Sequence, residues 1–128
     1  SQWPGVYMIA ITNKDLEGRE YDFSDVVYIG MTHSRGGLLS RWNQLNAAIK
    51  NGNRESHSGG NTIYDHLGNY KDWKKRLFVC GLPIECNVIK STRTPDDLIK
   101  MGEIASLEFE VLAAYKEQMK KEPKYNKR

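Results

Sequence analysis

Apolar and polar positions along the chain fall into four regimes. The first is a pair of short runs of β-formers, residues 6–11 and 25–30, separated by a polar stretch holding Asn13, Lys14, Asp15 and Gly18. Two such runs across a turn-rich segment predict a hairpin with a long connection. After Gly36-Gly37 the period changes. Leu38, Trp42, Leu45 and Ile49 recur every three or four positions, and Asn51-Gly52-Asn53 closes the pattern, which predicts a helix. Residues 53–61 are polar and contain Gly59-Gly60, which predicts a mobile loop, while Ile63, Leu67 and Tyr70 predict a short second helix. Residues 76–90 read as one bent strand, or as two broken at Gly81-Leu82-Pro83, with alternation through Ile84, Cys86 and Val88. The last regime has the plainest start signal: Thr94 as N-cap, Pro95 at the first helical position and Asp97 completing a capping box. It predicts a helix over 96–120 that Pro123 ends.

The order strand, strand, helix, helix, strand or strands, long helix predicts an α+β fold, an antiparallel sheet with helices packed against it. The 128 residues suit one domain over 1–128. A chain of this size buries roughly two thirds of its unfolded surface. No window approaches the ~18–20 unbroken apolar residues of a membrane span, and residues 1–5 lack the charged and apolar blocks of a signal peptide. Cys80 and Cys86, the two cysteines, are too few for a disulfide scaffold or a four-cysteine zinc site and predict a reduced, cytoplasmic setting. The histidines and cysteines have no zinc-ligand spacing.

Net charge is +3, unevenly placed: residues 116–128 carry +4 and the other 115 carry −1. A basic edge on a neutral body attracts phosphate by counterion release; a solvated lysine-rich helix end that complements the helix dipole has the same composition.

One residue in the long helix breaks its pattern. At 100° per residue, Leu98, Met101, Ile104, Ala105, Val111, Leu112, Tyr115 and Met119 fall in one stripe, and Glu108 falls near its middle. Glu103, Glu110 and Glu117 fall on the opposite face. A carboxylate on a core face needs a cation, a proton or several donors. Two readings follow: a salt bridge to an arginine such as Arg41 or Arg76, or a metal ligand or acid/base group.

Gly5-Val6-Tyr7 on the first strand and Tyr28-Ile29-Gly30 on the second resemble the paired signature of the GIY-YIG nuclease family. Arg41 on the following helix, Glu108 on the long helix and the ending Pro123-Lys124-Tyr125-Asn126 extend the resemblance over residues 5–126. Residues 8–27 make the gap between the tyrosine motifs about twice the family's usual length, so residues 15–25 read as an insertion. The segment 31–37, with Arg35, is also long. The resemblance implies a central three-stranded antiparallel sheet flanked by helices. It also implies hydrolysis of DNA phosphodiester bonds with one divalent metal ion, Mg²⁺ or Mn²⁺.

The roles it implies are specific. Glu108 binds the metal, Arg41 neutralises the scissile phosphate with its forked donors, and Tyr7 is the general base on the attacking water. Tyr28 holds the phosphate or the water, Gly5 and Gly30 let strand and phosphate approach closely, and Asn126 ties the C-terminal segment to the site. His57 is a candidate for orienting water or contacting phosphate, against a solvated loop histidine. His33 is a candidate proton shuttle, and His66 reads as a plain helix residue. Arg35, Lys74 and Lys75 are candidate DNA contacts; for the lysines, a charged strand entrance is the plainer reading. Cleavage of both strands calls for a homodimer, and specificity for a separate recognition domain. The alternative function on the same fold is a nucleic-acid-binding domain that does not cut.

Overall fold

The computed structural model describes residues 2–53 and 57–127. Three strands form one antiparallel sheet: β1 (Gly5–Thr12), β2 (Val26–Thr32) and β3 (Arg76–Pro83), in the spatial order β2-β1-β3. Between β2 and β3 come helices α1 (Gly37–Asn51) and α2 (Ser58–Leu67), and after β3 the long α3 (Pro95–Met119). The α+β class and the three-stranded antiparallel sheet are as expected.

The sheet's two faces follow from side-chain alternation along β1. Tyr7, Ile9 and Ile11 point to one side and join Leu38, Leu45 and Ile49 of α1 and Ile63 of α2. Val6 and Ala10 point to the other and join Ile29, Ile104 and Tyr115, with Met8, Leu107 and Val111 packed around them. Ile9, Ala10, Ile29, Leu38, Ile63 and Ile104 have no exposed surface. Each such aliphatic side chain larger than alanine contributes roughly 1.5–3 kcal/mol by leaving water. So α1 and α2 cover the Tyr7 face, and α3 covers the opposite one.

Several sequence signals act as expected. Gly52 caps α1 in the left-handed conformation, and the Thr94–Asp97 box opens α3 with both reciprocal hydrogen bonds. The long β1–β2 connection carries a single 3-10 turn, Phe23–Asp25. Three expectations fail. Gly81 and Leu82 do not break the third strand; they sit inside β3, paired with Tyr7 and Val6, and the ladder stops at Pro83. Beyond it Ile84, Cys86 and Val88 pack on the α3 side without forming a strand. The mobile loop expected over 53–61 includes 54–56, outside the described residues, as are Ser1 and Arg128. Residues 58–61, however, are helical, and they form the first turn of α2. The second helix ends at Leu67, and Tyr70 belongs to a separate 3-10 turn, Tyr70–Asp72.

The C-terminal segment returns along the free edge of β2. The Tyr125 N–H donates to the Val27 carbonyl (2.9 Å), and the Asn126 amide brackets Ile29, accepting from its N–H (2.9 Å) and donating to its C=O (2.8 Å). Val27 is the bulged residue that shifts the β1–β2 register between Ile9 and Ala10, and its carbonyl is thereby supplied with a donor.

Candidate active site

Register places the two motif tyrosines on one face. Tyr7 pairs with Gly30 and Ile9 with Tyr28, so Tyr7, Gly30 and Tyr28 all look toward α1 and α2. Gly30 lacks the side chain that would stand between the tyrosines. A Cβ there would lie 2.8 Å from the Tyr7 Cζ and hydroxyl and 2.8 Å from the Tyr28 ring. The Tyr7 and Tyr28 ring centroids are 6.0 Å apart.

His57 and Arg41 complete this cluster. The Gly60 N–H donates to His57 Nδ1 (2.9 Å), so His57 is the side-chain N-cap of α2. With Nδ1 accepting, the imidazole proton is on Nε2, which donates to the Tyr7 hydroxyl at 2.8 Å. Arg41 Nε donates to the same hydroxyl at 3.3 Å, and Arg41 Nη1 is held by Gln44 Oε1 at 2.8 Å. Both acceptor positions of the Tyr7 oxygen are taken by N–H donors. At rest it has a proton to give, not a lone pair to spare. The same two donors are placed to hold the phenolate once that proton leaves.

Electrostatics agrees with a neutral Tyr7 and a neutral His57 beside the Arg41 charge. Burial, then the neighbouring Tyr28, raises the Tyr7 phenol well above its ordinary range, while the Arg41 guanidinium opposes them. Burial, then the Arg41 charge, pushes His57 down to about 3. His57 is 2% exposed, so the solvated-loop reading of this residue is overturned.

Glu108 arrives on α3. Its side chain is 1% exposed, as the helical phase predicts, while Glu103, Glu110 and Glu117 are exposed. Arg76 is taken up elsewhere: its guanidinium lies over Phe78 (5.0 Å) and 4.0 Å from Asp15. Two hydrogen bonds fix the level of Glu108 along the sheet. His33 Nε2, just past β2, bonds the Met101 carbonyl (2.8 Å), and the Tyr115 hydroxyl donates to the Val26 carbonyl (2.9 Å). Residues 101–115 cover ~21 Å of helix and residues 26–33 cover ~23 Å of strand, so α3 runs antiparallel alongside β2. Glu108, midway between the two bonds, stands at the level of Ile29 and Gly30. Asn126 grips Ile29 from the edge at the same level. The Tyr7 hydroxyl reaches Gly30 from the α1/α2 side, and Glu108 comes from the α3 side.

The remaining candidates have other surroundings. Gly5 faces the β3 backbone, where a Cβ would collide with the Leu82 carbonyl. His33 ties the end of β2 to α3. Arg35 is exposed beside Trp3 and Cys86 at the end of the sheet. Lys74 and Lys75 line a groove with Lys124 and Tyr125. His66 bonds its own helix at the Thr62 carbonyl (2.9 Å) and packs on Tyr125. A smaller hollow of ≈ 110 Å³ opens between Tyr28, Gly59, Thr62, Asn126 and Lys127. Tyr28 is therefore the phenol that an incoming molecule meets first, with Tyr7 behind it.

In comparisons with known proteins, no family model, no curated protein and no solved structure matches this chain.

Proposed function

We propose that this domain is a divalent-metal-dependent DNA endonuclease. The observation that carries the reading is the Tyr7 hydroxyl held by His57 Nε2–H and Arg41 Nε–H beside Gly30, at the level where Glu108 is buried. Phosphodiester hydrolysis needs a proton acceptor for water, positive charge at the phosphate and a stabilised leaving oxygen. Those residue types lie at one level of β2, with Tyr7, His57 and Arg41 on one face of the sheet and Glu108 on the other, and they are the ones the GIY-YIG resemblance selects.

Each residue then has a role. Tyr7 releases its own proton to solvent through the hollow at Tyr28, its anion is held by His57 and Arg41, and it then takes the proton of the attacking water. Neutral His57 supplies the N–H without adding charge. Arg41 Nη1 is bonded to Gln44, which sets the plane of a guanidinium whose second function is phosphate neutralisation. Tyr28 lines the hollow and hydrogen-bonds the phosphate. Asn126 fixes β2 at Ile29, so that Gly30 and Tyr28 keep their positions.

A hard cation that keeps most of its water shell needs few protein ligands, and a single carboxylate suits Mg²⁺ or Mn²⁺. Glu108 would hold it. When bound there, the ion supplies Lewis-acid stabilisation to the phosphate and leaving oxygens. Burying a carboxylate costs several kcal/mol of solvation, and metal binding is a reason for the fold to retain one at this depth.

Nicking of supercoiled plasmid tests the reading. Cleavage is expected with Mg²⁺ or Mn²⁺, none with EDTA, and none from Glu108→Gln. DNA binding without cleavage in either metal would overturn the enzyme in favour of a binding domain.

A further inference from the structure

The hollow at Tyr28 has a neighbour. Its wall at Tyr125 is shared with a larger groove of ≈ 400 Å³ lined by Leu67, Trp73, Lys74, Lys75, Lys124 and Tyr125. α2 forms one side of the combined channel, from Ser58 and Gly59 to Leu67. The C-terminal segment forms the other, from Lys127 back to Lys124, and Tyr28 and Val27 of β2 lie on the floor. Among the described residues lining either part, Asp72 is the one acid, against four lysines.

The aromatic surface is held rigid. Trp73 Nε1 donates to the Gly68 carbonyl (3.2 Å), and the Trp73 ring stands edge-on to Tyr70 with centroids 4.9 Å apart. Tyr125 is 3% exposed beneath Lys124 and His66, so Trp73 is the ring open to a base, with Leu67, 40% exposed, in the same groove. Lysines tracking a groove beside a fixed indole and apolar surface suit an unpaired strand: phosphates on the cations, a base on the Trp73 ring. A duplex is read by an element that projects into a groove, and this surface is recessed. α2 spans ~15 Å, the length of about four stacked nucleotides at ~3.4 Å each.

We infer that the channel from Tyr28 to Trp73 binds a single DNA strand flanking the scissile phosphate, so the preferred substrate is unpaired on one side of the cut. This inference rests on the nuclease reading for the position of the cut, but its test does not require cleavage. Fluorescence anisotropy in EDTA would compare a 20-nucleotide oligo-dT with a blunt duplex of equal length. The single strand is expected to bind at least tenfold more tightly. Lys74→Ala/Lys124→Ala, two exposed lysines, is expected to weaken it about tenfold and to lower the salt slope by ~1.4, at ~0.7 per lost phosphate contact on a single strand. Equal affinity for the two probes, or an unchanged salt slope in the folded variant, would overturn the channel even if plasmid is nicked. The expected binding without cleavage in any metal would leave the channel standing and sink the nuclease.

Discussion

His57 Nε2 and the Tyr7 hydroxyl lie 2.8 Å apart across 50 positions of sequence, and the first turn of α2 decides which of them donates. Because the Gly60 N–H occupies Nδ1, His57 must stay neutral to keep both bonds. Its basicity is pushed down to about 3 by burial and by Arg41. The unfolded chain takes up a proton on this residue below about 6.5, and the folded chain does not. Stability from this group is therefore complete above that pH and falls as pH drops toward 3, by up to ~1.4 kcal/mol per pH unit. Urea unfolding of wild type and His57→Gln between pH 7.5 and 4 checks this. The stability gap between them should narrow as pH falls; a constant gap would exclude a neutral buried imidazole.

Tyr7→Phe keeps the ring and removes the atom on which two donors converge. His57 Nε2–H and Arg41 Nε–H then lose their acceptor, at a cost of about 1–3 kcal/mol in unfolding free energy. Plasmid nicking should fall by ~10²–10⁴, the usual contribution of a general base. Retained nicking would remove Tyr7 from the chemistry.

Gly30→Ala is a purely steric test, since Gly30 has no positive φ. The new methyl would sit 2.8 Å from Tyr7 and Tyr28 atoms, and overpacking of this kind costs ~1–3 kcal/mol. Gly102→Ala is the matched control. Nothing lies within 4 Å of its added Cβ on exposed α3, and alanine in a helix gains ~0.5–1 kcal/mol over glycine. Thermal melts should move in opposite directions. Destabilisation by both would mean the tyrosine contact is not what makes Gly30 necessary.

What the sequence disclosed depended on whether a residue's role follows a repeating period. Runs of β-formers put Tyr7 and Tyr28 on strands, helical phase buries Glu108, and the Thr94–Asp97 box starts α3 within a residue. Residues 57–61 carry no local signal of their structure, because their roles are tertiary. Histidine is not among the usual N-cap residues, so nothing local marked His57 as a cap. Gly59-Gly60 has the composition of a flexible loop, yet its glycines serve close packing. A Cβ on Gly59 would strike the Tyr28 ring at 2.5 Å, and one on Gly60 would meet Ala48 at 2.8 Å. Gly81 misled for the same reason: it looked like a strand break, and its missing side chain is the space that Leu38 and Trp42 of α1 occupy. The level of Glu108 against Gly30 is equally hidden, because it is set by two long-range bonds, His33 to Met101 and Tyr115 to Val26, that no local period announces.

Asn126 offers a test that separates geometry from charge. Its amide accepts from the Ile29 N–H and donates to the Ile29 C=O, the pairing a neighbouring strand would make at this free edge. Asn126→Ala loses both bonds, about 1–3 kcal/mol at ~0.5–1.5 each. Asn126→Asp keeps an acceptor for the N–H, but at pH 7 it sets a carboxylate against the Ile29 carbonyl with no proton between them. It should therefore be at least as unstable as the alanine variant at pH 7. Below the carboxyl's own titration it regains a donor, and part of the loss should return relative to alanine. Chemical denaturation of the three proteins at pH 7 and near pH 4 reads this directly. If Asp and Ala differ by the same amount at both values, the amide's donor to Ile29 contributes nothing, and Asn126 acts only through its acceptor for the Ile29 N–H.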